Sequence, residues 1–276
     1  MKIKGHRLYL NEGKAVPFQK SPHQSDGLTP EYLIMHYTAG ASAESSVAWF
    51  LNPDAKASAH LVIGRNGQIT QLVTFDRRAW HAGVSRWADR VGLNQWSIGI
   101  ELDNAGELVR HPDGWRTKWG RPVNSADVIE GAHKNGGPVT GWHSYTQEQL
   151  EIAQMVAAML VNQYGLKDVL GHEDIAPGRK TDPGPAFPMS SFRAAAVGRA
   201  DDTALQAEKF VTTTGLNIRI GPGAQFDKLP VSPLPKGTGL LRRSTQGIWM
   251  EVRVLNPVNG DADIEGWVHG DFVRAV

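Results

Sequence analysis

The side chains with the clearest chemical potential lie in residues 171–184, a segment rich in proline and glycine. It contains a histidine, a lysine and an aspartate, namely His172, Lys180 and Asp182. Because such a segment bends readily, the histidine and the aspartate can face one point, and an imidazole with a carboxylate suits a zinc ion. An ordinary surface loop, in which Asp182 caps the turn before Pro183, is an equal alternative on these residues alone.

A second histidine stands near the end of a predicted strand. Residues 33–38 form an apolar run typical of a buried strand, with His36 near its carboxyl end, and residues 169–172 repeat the arrangement with His172. Side chains at strand ends emerge into a cleft, so two such strands are a reasonable scaffold for a metal site. Each histidine taken singly could instead be a core residue bound to a backbone carbonyl.

Five short motifs occur in a fixed order along the chain. They are residues 36–40 (HYTAG), 58–63 (SAHLVI), 80–83 (WHAG), 97–102 (SIGIEL) and the 171–184 segment. In this order they resemble the type-2 N-acetylmuramoyl-L-alanine amidases, a superfamily that includes peptidoglycan recognition proteins. The resemblance implies an α/β fold with a mixed central sheet flanked by helices. It also implies a zinc ion held by His36, His172 and Asp182; the cysteine ligand of some members is excluded because the chain has no cysteine.

Glu101 is the candidate acid–base group. Three protein ligands leave zinc one open position, where a water becomes acidic enough to react at neutral pH, but a base must still move its proton. Glu101 lies in an otherwise apolar strand, where burial should raise its pKa, and alternation places it on one face with Gly99 and Asp103. An exposed residue of an edge strand is the alternative, and the resemblance favours the catalytic role.

Lys180 lies two residues before Asp182, so in an extended backbone both side chains point the same way. A cation beside the metal would stabilise the oxyanion formed when the amide carbonyl is attacked, an effect of about 3 kcal/mol for one donor. The resemblance assigns this role to Lys180. The alternative is a solvated loop lysine.

Other motif residues are predicted to contact substrate. The resemblance places His60 and His81 along the cleft and outside the metal shell, with His81 beside Trp80 as a sugar or peptide contact. Asn104 and Arg179 are also assigned to substrate binding. The remaining histidines lack such a context and are predicted at the surface or in supporting positions: His6, His23, His111, His133, His143 and His269.

Composition restricts the class of protein. The chain has 276 residues, 41% of them hydrophobic, which is enough for one large core or two smaller ones. A formal net charge of +1 gives no electrostatic argument for nucleic acid, and no segment reads as a membrane span. The basic residues 1–7 are not followed by the apolar stretch of a signal peptide. We therefore expect a monomer made in the cytoplasm that acts on the cell wall after release or specialised export.

The pattern of elements agrees with an α/β catalytic domain. It predicts a helix over residues 43–51, a hairpin of residues 60–63 and 68–73, and a helix over 146–164 with Thr146 and Gln149 as a capping box. Residues 105–145 show little periodicity but contain three tryptophans among Arg and Lys, which suit glycan rings and peptide carboxylates. We read this segment as a wall of the substrate groove; an insertion that only packs on the domain is nearly as good an interpretation.

The sequence changes character near its C-terminal quarter. A short helix at 190–196 is followed by a polar linker over 199–209, and then by short β-rich runs between Gly and Pro turns over 210–276. The order LNIR, GPG, PKG, WMEV and GWV resembles bacterial SH3 domains, which often bind cell-wall peptides. We therefore predict a catalytic domain at 1–198 and a small all-β, SH3-like barrel at 210–276, where Trp249 and Trp267 are core or groove residues.

The resulting hypothesis is zinc-dependent hydrolysis of the amide between N-acetylmuramic acid and L-alanine in peptidoglycan, with glycan and stem peptide as the partners. A non-catalytic peptidoglycan receptor is one alternative, but such receptors typically lack one metal ligand and all three are present here. The other alternative is a cytoplasmic amidase that recycles small anhydro-muropeptides. It suits the missing signal peptide, whereas the SH3-like module argues against it.

Overall fold

The computed structural model describes residues 1–10, 13–197, 209–246, 248–262 and 264–276. The chain forms two compact units, Met1–Arg199 and Ala200–Val276. The predicted linker at 199–209 lies outside the described residues except for its last position. Within the described ranges, every helix is too short or too polar to span a membrane.

The first unit combines a central sheet with four α-helices and several small hairpins. Its strands are β1 (Lys2–Lys4), β2 (Arg7–Tyr9), β3 (Gln24–Ser25), β4 (Tyr32–Tyr37), β5 (Leu61–Ile63), β6 (Ile69–Gln71), β7 (Arg78–Ala79), β8 (Arg86–Trp87), β9 (Arg90–Val91), β10 (Ser97–Leu102), β11 (Val109–His111), β12 (Gly114–Arg116), β13 (Pro122–Val123), β14 (Val128–Ala132), β15 (Val139–His143) and β16 (Asp168–Gly171). Its helices are α1 (Ala43–Leu51), α2 (Gln147–Tyr164), α3 (His172–Ile175) and α4 (Met189–Val197).

The central sheet has the strand order β16-β4-β10-β5-β6. Strands β16, β4, β10 and β5 run parallel, and β6 returns antiparallel to β5. The register pairs Glu101 with His36 and Gly171 with Met35, so three carboxyl ends lie side by side. The predicted mixed sheet with flanking helices is confirmed, and its geometry brings the candidate site residues to one edge.

The long helix α2 covers one face of this sheet. Its N-cap is Thr146, whose side chain accepts a hydrogen bond from the Gln149 backbone, and it ends at Gly165 in the left-handed conformation. The predicted capping box is only half formed. The Gln149 amide donates instead to the carbonyl oxygens of Ile63, at 3.0 Å, and Asp103, at 3.1 Å. This buried glutamine therefore ties the helix to the ends of β5 and β10.

The 105–145 segment is more regular than its sequence suggested. It contains strands β11 to β15, and β14 pairs with β15 from Val128 opposite His143 to Ala132 opposite Val139. The strands of this hairpin are mostly exposed or half-exposed, so they lack the alternation of apolar and polar residues that marks a strand with one buried face. The segment is a set of short hairpins rather than a loop.

The second unit is all-β. Its strands are β17 (Lys209–Thr212), β18 (Gly239–Gln246), β19 (Trp249–Val254), β20 (Glu265–His269) and β21 (Val273–Ala275), in the antiparallel order β20-β19-β18-β17-β21. It has its own apolar core, which includes Ile218, Leu234 and Val252. Trp249 and Trp267 are both half-exposed. The all-β prediction agrees with this sheet, while the SH3-like assignment stays a prediction.

Candidate metal centre and active site

Two imidazoles and one carboxylate converge at the carboxyl edge of the sheet. His36 Nδ1 lies 3.0 Å from His172 Nδ1 and 2.8 Å from Asp182 Oδ2, and His172 Nδ1 lies 3.0 Å from the same oxygen. All three side chains are buried. His36 comes from β4, His172 is the first residue of α3 directly after β16, and the Glu173 backbone N–H closes the loop by donating to the Asp182 carbonyl at 2.9 Å.

A backbone carbonyl lies at the outer nitrogen of His172. Its Nε2 lies 3.1 Å from the carbonyl oxygen of Ala82. A carbonyl oxygen can only accept, so it favours the tautomer protonated on Nε2, in which the Nδ1 lone pair points towards His36 and Asp182. The backbone of a distant loop thus prepares this imidazole as a ligand.

His36 is prepared in the same way, but through another imidazole. Its Nε2 lies 3.0 Å from His81 Nδ1, and His81 Nε2 lies 3.4 Å from the carbonyl oxygen of Ser97. The carbonyl places the proton of His81 on Nε2, so His81 Nδ1 accepts from His36 Nε2–H. Burial, together with the neighbouring His172, lowers the pKa of His36 to about 4, which keeps the ring neutral at pH 7.

In these tautomers, three electron-rich atoms face one another. Two imidazole lone pairs and a carboxylate oxygen within 3.0 Å repel one another unless a cation lies among them. Two nitrogens and one oxygen are a donor set that zinc uses, and three protein ligands are typical of a site with an open position. The residues present therefore fit a metal ion, and His36, His172 and Asp182 could hold it.

Glu101 lies beside this group. It is paired with His36 across the two parallel strands, and its buried Oε2 has no hydrogen-bond partner among the described residues. Burial, with a smaller effect from the Asp182 charge, raises the pKa of Glu101 well above its ordinary value, and Lys180 opposes the rise. A carboxyl group with a raised pKa is a stronger base than an exposed glutamate, which suits a group that accepts and releases a proton. Lys180 also acts on His36, whose pKa its charge helps to lower, which places the ammonium near the site.

Comparison with known proteins decides the family. The sequence profile described as N-acetylmuramoyl-L-alanine amidase matches residues 26–185, more than half of the chain. This chain belongs to the N-acetylmuramoyl-L-alanine amidase family. The enzyme is accordingly an amidase of this type rather than a non-catalytic receptor, and its three candidate ligands lie together.

Curated relatives of this amidase are bacterial. The 1,6-anhydro-N-acetylmuramyl-L-alanine amidase AmpD of Escherichia coli K12 is 33% identical over 67% of this chain and 96% of its own length. The N-acetylmuramoyl-L-alanine amidase AmiD of the same strain is 32% identical over 62% of this chain and 54% of its own length. Among solved structures, a selenomethionine derivative of AmpD has a TM-score of 0.49 at 28% identity, covering 71% of this chain and 99% of that one.

Two of the predicted substrate contacts lie inside the amidase fold instead. His60 is fully buried; its Nδ1 accepts from the Gly99 backbone at 3.0 Å and its Nε2 donates to the Arg77 carbonyl at 2.9 Å. Both ring nitrogens of His81 are likewise engaged, by His36 and Ser97. The structure contradicts a cleft-lining role for His60, and it places His81 behind a candidate ligand, where it orients the ring.

Asn104 is also internal to the fold. It is 1% exposed, its Oδ1 accepts from the Gly106 backbone, and its Nδ2 donates to the carbonyls of His143 and Ser144. These bonds close the base of the 105–145 segment, so the predicted substrate contact through this amide does not fit its position. A buried side chain with every polar atom engaged has nothing left to offer a ligand.

Arg179 and Trp80 remain at the surface of the site. The Arg179 guanidinium donates to the carbonyls of Ala82, at 2.8 Å, and Val84, at 2.7 Å. It thereby holds the loop whose Ala82 carbonyl sets the tautomer of His172. The Trp80 ring is 36% exposed and stays available as the predicted contact for a sugar or peptide.

The position of His81 depends on the glycine at residue 99. Gly99 lies on the same strand face as Glu101, and a Cβ built at Gly99 would lie 2.5 Å from the His81 ring. In the sequence, the glycine in the third position of the SIGIEL motif is the sign that another group packs closely against this strand. Glycine provides the space in which the second imidazole reaches His36.

Replacing Gly99 with alanine should therefore weaken metal binding. The added methyl displaces His81, His36 loses its orienting partner, and loss of such a partner typically lowers metal affinity by about 10- to 100-fold. Competition with a chromophoric chelator measures this affinity. Gly215→Ala is the matched control, because a Cβ there meets nothing within 4 Å. Equal affinities in the two variants would remove His81 from the metal centre.

Proposed function

We propose that this amidase uses zinc, held by His36 Nδ1, His172 Nδ1 and Asp182 Oδ2, to hydrolyse the amide between N-acetylmuramic acid and L-alanine. The convergence of these three atoms within 3.0 Å, with both imidazole protons directed away, is the observation that supports it best. Zinc at this point would polarise the scissile carbonyl and make water a nucleophile at neutral pH.

In this proposal Glu101 moves the proton. Its carboxylate accepts a proton from the attacking water and delivers it to the nitrogen of L-alanine as the carbon–nitrogen bond breaks. The unpartnered Oε2 and the raised pKa of Glu101 support this role, because a raised pKa makes the carboxylate a stronger base than an exposed glutamate. Lys180 supplies a positive charge for the oxyanion that develops on the carbonyl oxygen.

We further propose that 1,6-anhydro-N-acetylmuramyl peptides are the preferred substrate. The E. coli AmpD relative, whose name specifies this substrate, is matched over 96% of its length. This favours the recycling alternative over the polymer-degrading activity expected from the sequence. Incubating the enzyme with a soluble anhydro-muropeptide and with intact sacculi, and analysing both by mass spectrometry, tests the choice. Faster release of peptide from the soluble compound is the expected result; release from sacculi alone would contradict it.

The 105–145 segment lines a cleft at the carboxyl edge of the central sheet. A cleft of about 240 Å³ lies between the ends of β4, β5 and β10 and this segment, and its lining includes Thr117, Trp119, Arg121 and His143. Trp119 is exposed, and an indole beside a guanidinium suits a sugar ring or a peptide carboxylate. We propose that this cleft and Trp80 contact the muramyl peptide.

Action on polymeric peptidoglycan is the second candidate, and the second unit favours it. Residues 200–276 lie outside the family match at 26–185, and the described residues from 209 onwards form a separate all-β core. A tethered binding unit raises the local concentration of enzyme on an insoluble substrate. The predicted SH3-like wall-binding role would give this unit that function.

Truncation near Ala204 should separate the two activities. Because every proposed catalytic residue lies in the first unit, the shortened protein should cleave a soluble muropeptide with a kcat/KM close to that of the full chain. It should bind sacculi more weakly in a pelleting assay. Equal sacculus binding by both proteins would show that the second unit serves another purpose.

A further inference from the structure

A buried carboxylate that the mechanism does not use lies next to a candidate metal ligand. Glu173 follows His172 directly, and its side chain is 4% exposed. One Glu173 oxygen, Oε2, is 2.5 Å from His133 Nε2, and the other, Oε1, is 2.8 Å from Lys134 Nζ. His133 Nδ1 accepts from the Asn135 backbone, so the neutral ring carries its proton on Nε2 and donates it to Glu173.

These partners all come from the turn of the β14–β15 hairpin. Lys134 Nζ also lies 2.7 Å from Asp174 Oδ1, and the Asn135 side-chain amide donates to the Glu173 carbonyl at 3.0 Å. The turn therefore grips residues 173 and 174 through side chains and backbone together. We define the metal loop as residues 171–184. Within this loop, the Gly184 backbone N–H donates a hydrogen bond to Glu173 Oε2 at 3.3 Å.

The same segment also contacts the other end of the metal loop. Gly184 has a positive φ, and a Cβ built there would lie 2.8 Å from the ring of Trp142 in β15. The Tyr145 hydroxyl donates to the Pro183 carbonyl at 2.8 Å. His172 and Asp182 thus lie close to the two points at which the 105–145 segment holds the loop.

We propose that the turn at 133–135 is a brace for the metal loop, and that Lys134 and His133 are positioning residues that act on the ligands through Glu173. The inference rests on the proposed zinc site. It assigns to the 105–145 segment a role beyond lining a groove. A metal site tolerates ligand displacements of only about 0.2 Å, so a loop held at both ends preserves the affinity that a loosened loop loses.

The charge on Glu173 makes the brace sensitive to single changes. Glu173 is buried whereas Lys134 is partly exposed, so removing the ammonium leaves the charge of a buried carboxylate only partly compensated, which is destabilising locally. In the Lys134→Met variant the side chain keeps much of its apolar stem but loses the ammonium. The carboxylate of Glu173 should then turn towards solvent, and the adjacent His172 should be displaced with it.

Lys134→Met is expected to weaken zinc binding about 10-fold or more and to lower kcat, with KM for a soluble muropeptide nearly unchanged. Lys118→Met is the matched control, because among the described residues this exposed lysine of the same segment pairs only with the more exposed Glu107, at 2.8 Å. Chelator competition gives the affinity, and steady-state kinetics separate kcat from KM. A Lys134→Met protein that binds zinc like Lys118→Met, or that changes KM alone, would overturn the brace.

A double variant shows whether the effect passes through Glu173. Adding Glu173→Gln to Lys134→Met removes the uncompensated charge, so the double variant should regain part of the lost zinc affinity. Lys134→Arg keeps the positive charge and should therefore retain most of the zinc affinity of the unaltered protein. A route through Glu173 would be contradicted if the double variant regained no zinc affinity, or if Lys134→Arg lost as much affinity as Lys134→Met.

Hydrogen exchange of the metal-free protein tests the brace without zinc. Residues 171–184 should exchange faster in Lys134→Met than in Lys118→Met. If the unaltered protein binds no zinc but this difference holds, the proposed metal chemistry fails and the brace stands.

Discussion

Replacing His172 with alanine should leave the protein without stoichiometric zinc and reduce turnover by several orders of magnitude. The two remaining ligands cannot hold zinc in a tetrahedral site, because the position of the third protein ligand would be unoccupied. Elemental analysis after gel filtration gives the metal content, and release of L-alanyl peptide from a muropeptide gives the turnover. His111→Ala is the matched control, because this histidine is exposed and, in the part of the chain that the structure describes, its side chain pairs only with Asp113. Stoichiometric zinc with normal turnover in His172→Ala would remove His172 from the site.

Replacing Glu101 with glutamine should slow hydrolysis by about 10²- to 10⁴-fold while zinc stays bound, because the amide keeps the shape of the side chain but cannot move a proton. Lys180→Ala should cost about 10²- to 10³-fold through loss of oxyanion stabilisation. Glu107→Gln, a change at a partly exposed carboxylate, serves as the control. Near-wild-type kcat on a defined muropeptide would exclude the altered residue from the mechanism.

The convergence of His36 and His172 was predictable because each histidine has a local signature. His36 and His172 follow apolar runs that form adjacent parallel strands, and strand ends meet at one edge of a sheet. Glu101 stood out because a carboxylate interrupts an apolar strand. Helix α1 was predicted with its observed bounds, since a serine N-cap and the Asn-Pro stop are encoded locally.

The contacts that orient the ligands were not predictable in this way. The Ala82 carbonyl that sets the tautomer of His172 is a backbone atom, and backbone atoms have no sequence signature. His81 was read as a substrate contact because its motif gave no sign of the space left by Gly99 on a neighbouring strand. The ion pair between Lys134 and Glu173 joins residues from distant parts of the chain. Neither charged residue has a pattern in the sequence that predicts the contact before the fold brings the two together.

Anomalous diffraction at the zinc edge, from crystals of the zinc-loaded protein, tests the central claim most directly. The account predicts one strong peak about 2.0 to 2.2 Å from His36 Nδ1, His172 Nδ1 and Asp182 Oδ2, with Glu101 beside it but not bound to it. A peak held by the Nε2 atoms, or a zinc-loaded protein with no peak among these three side chains, would contradict it.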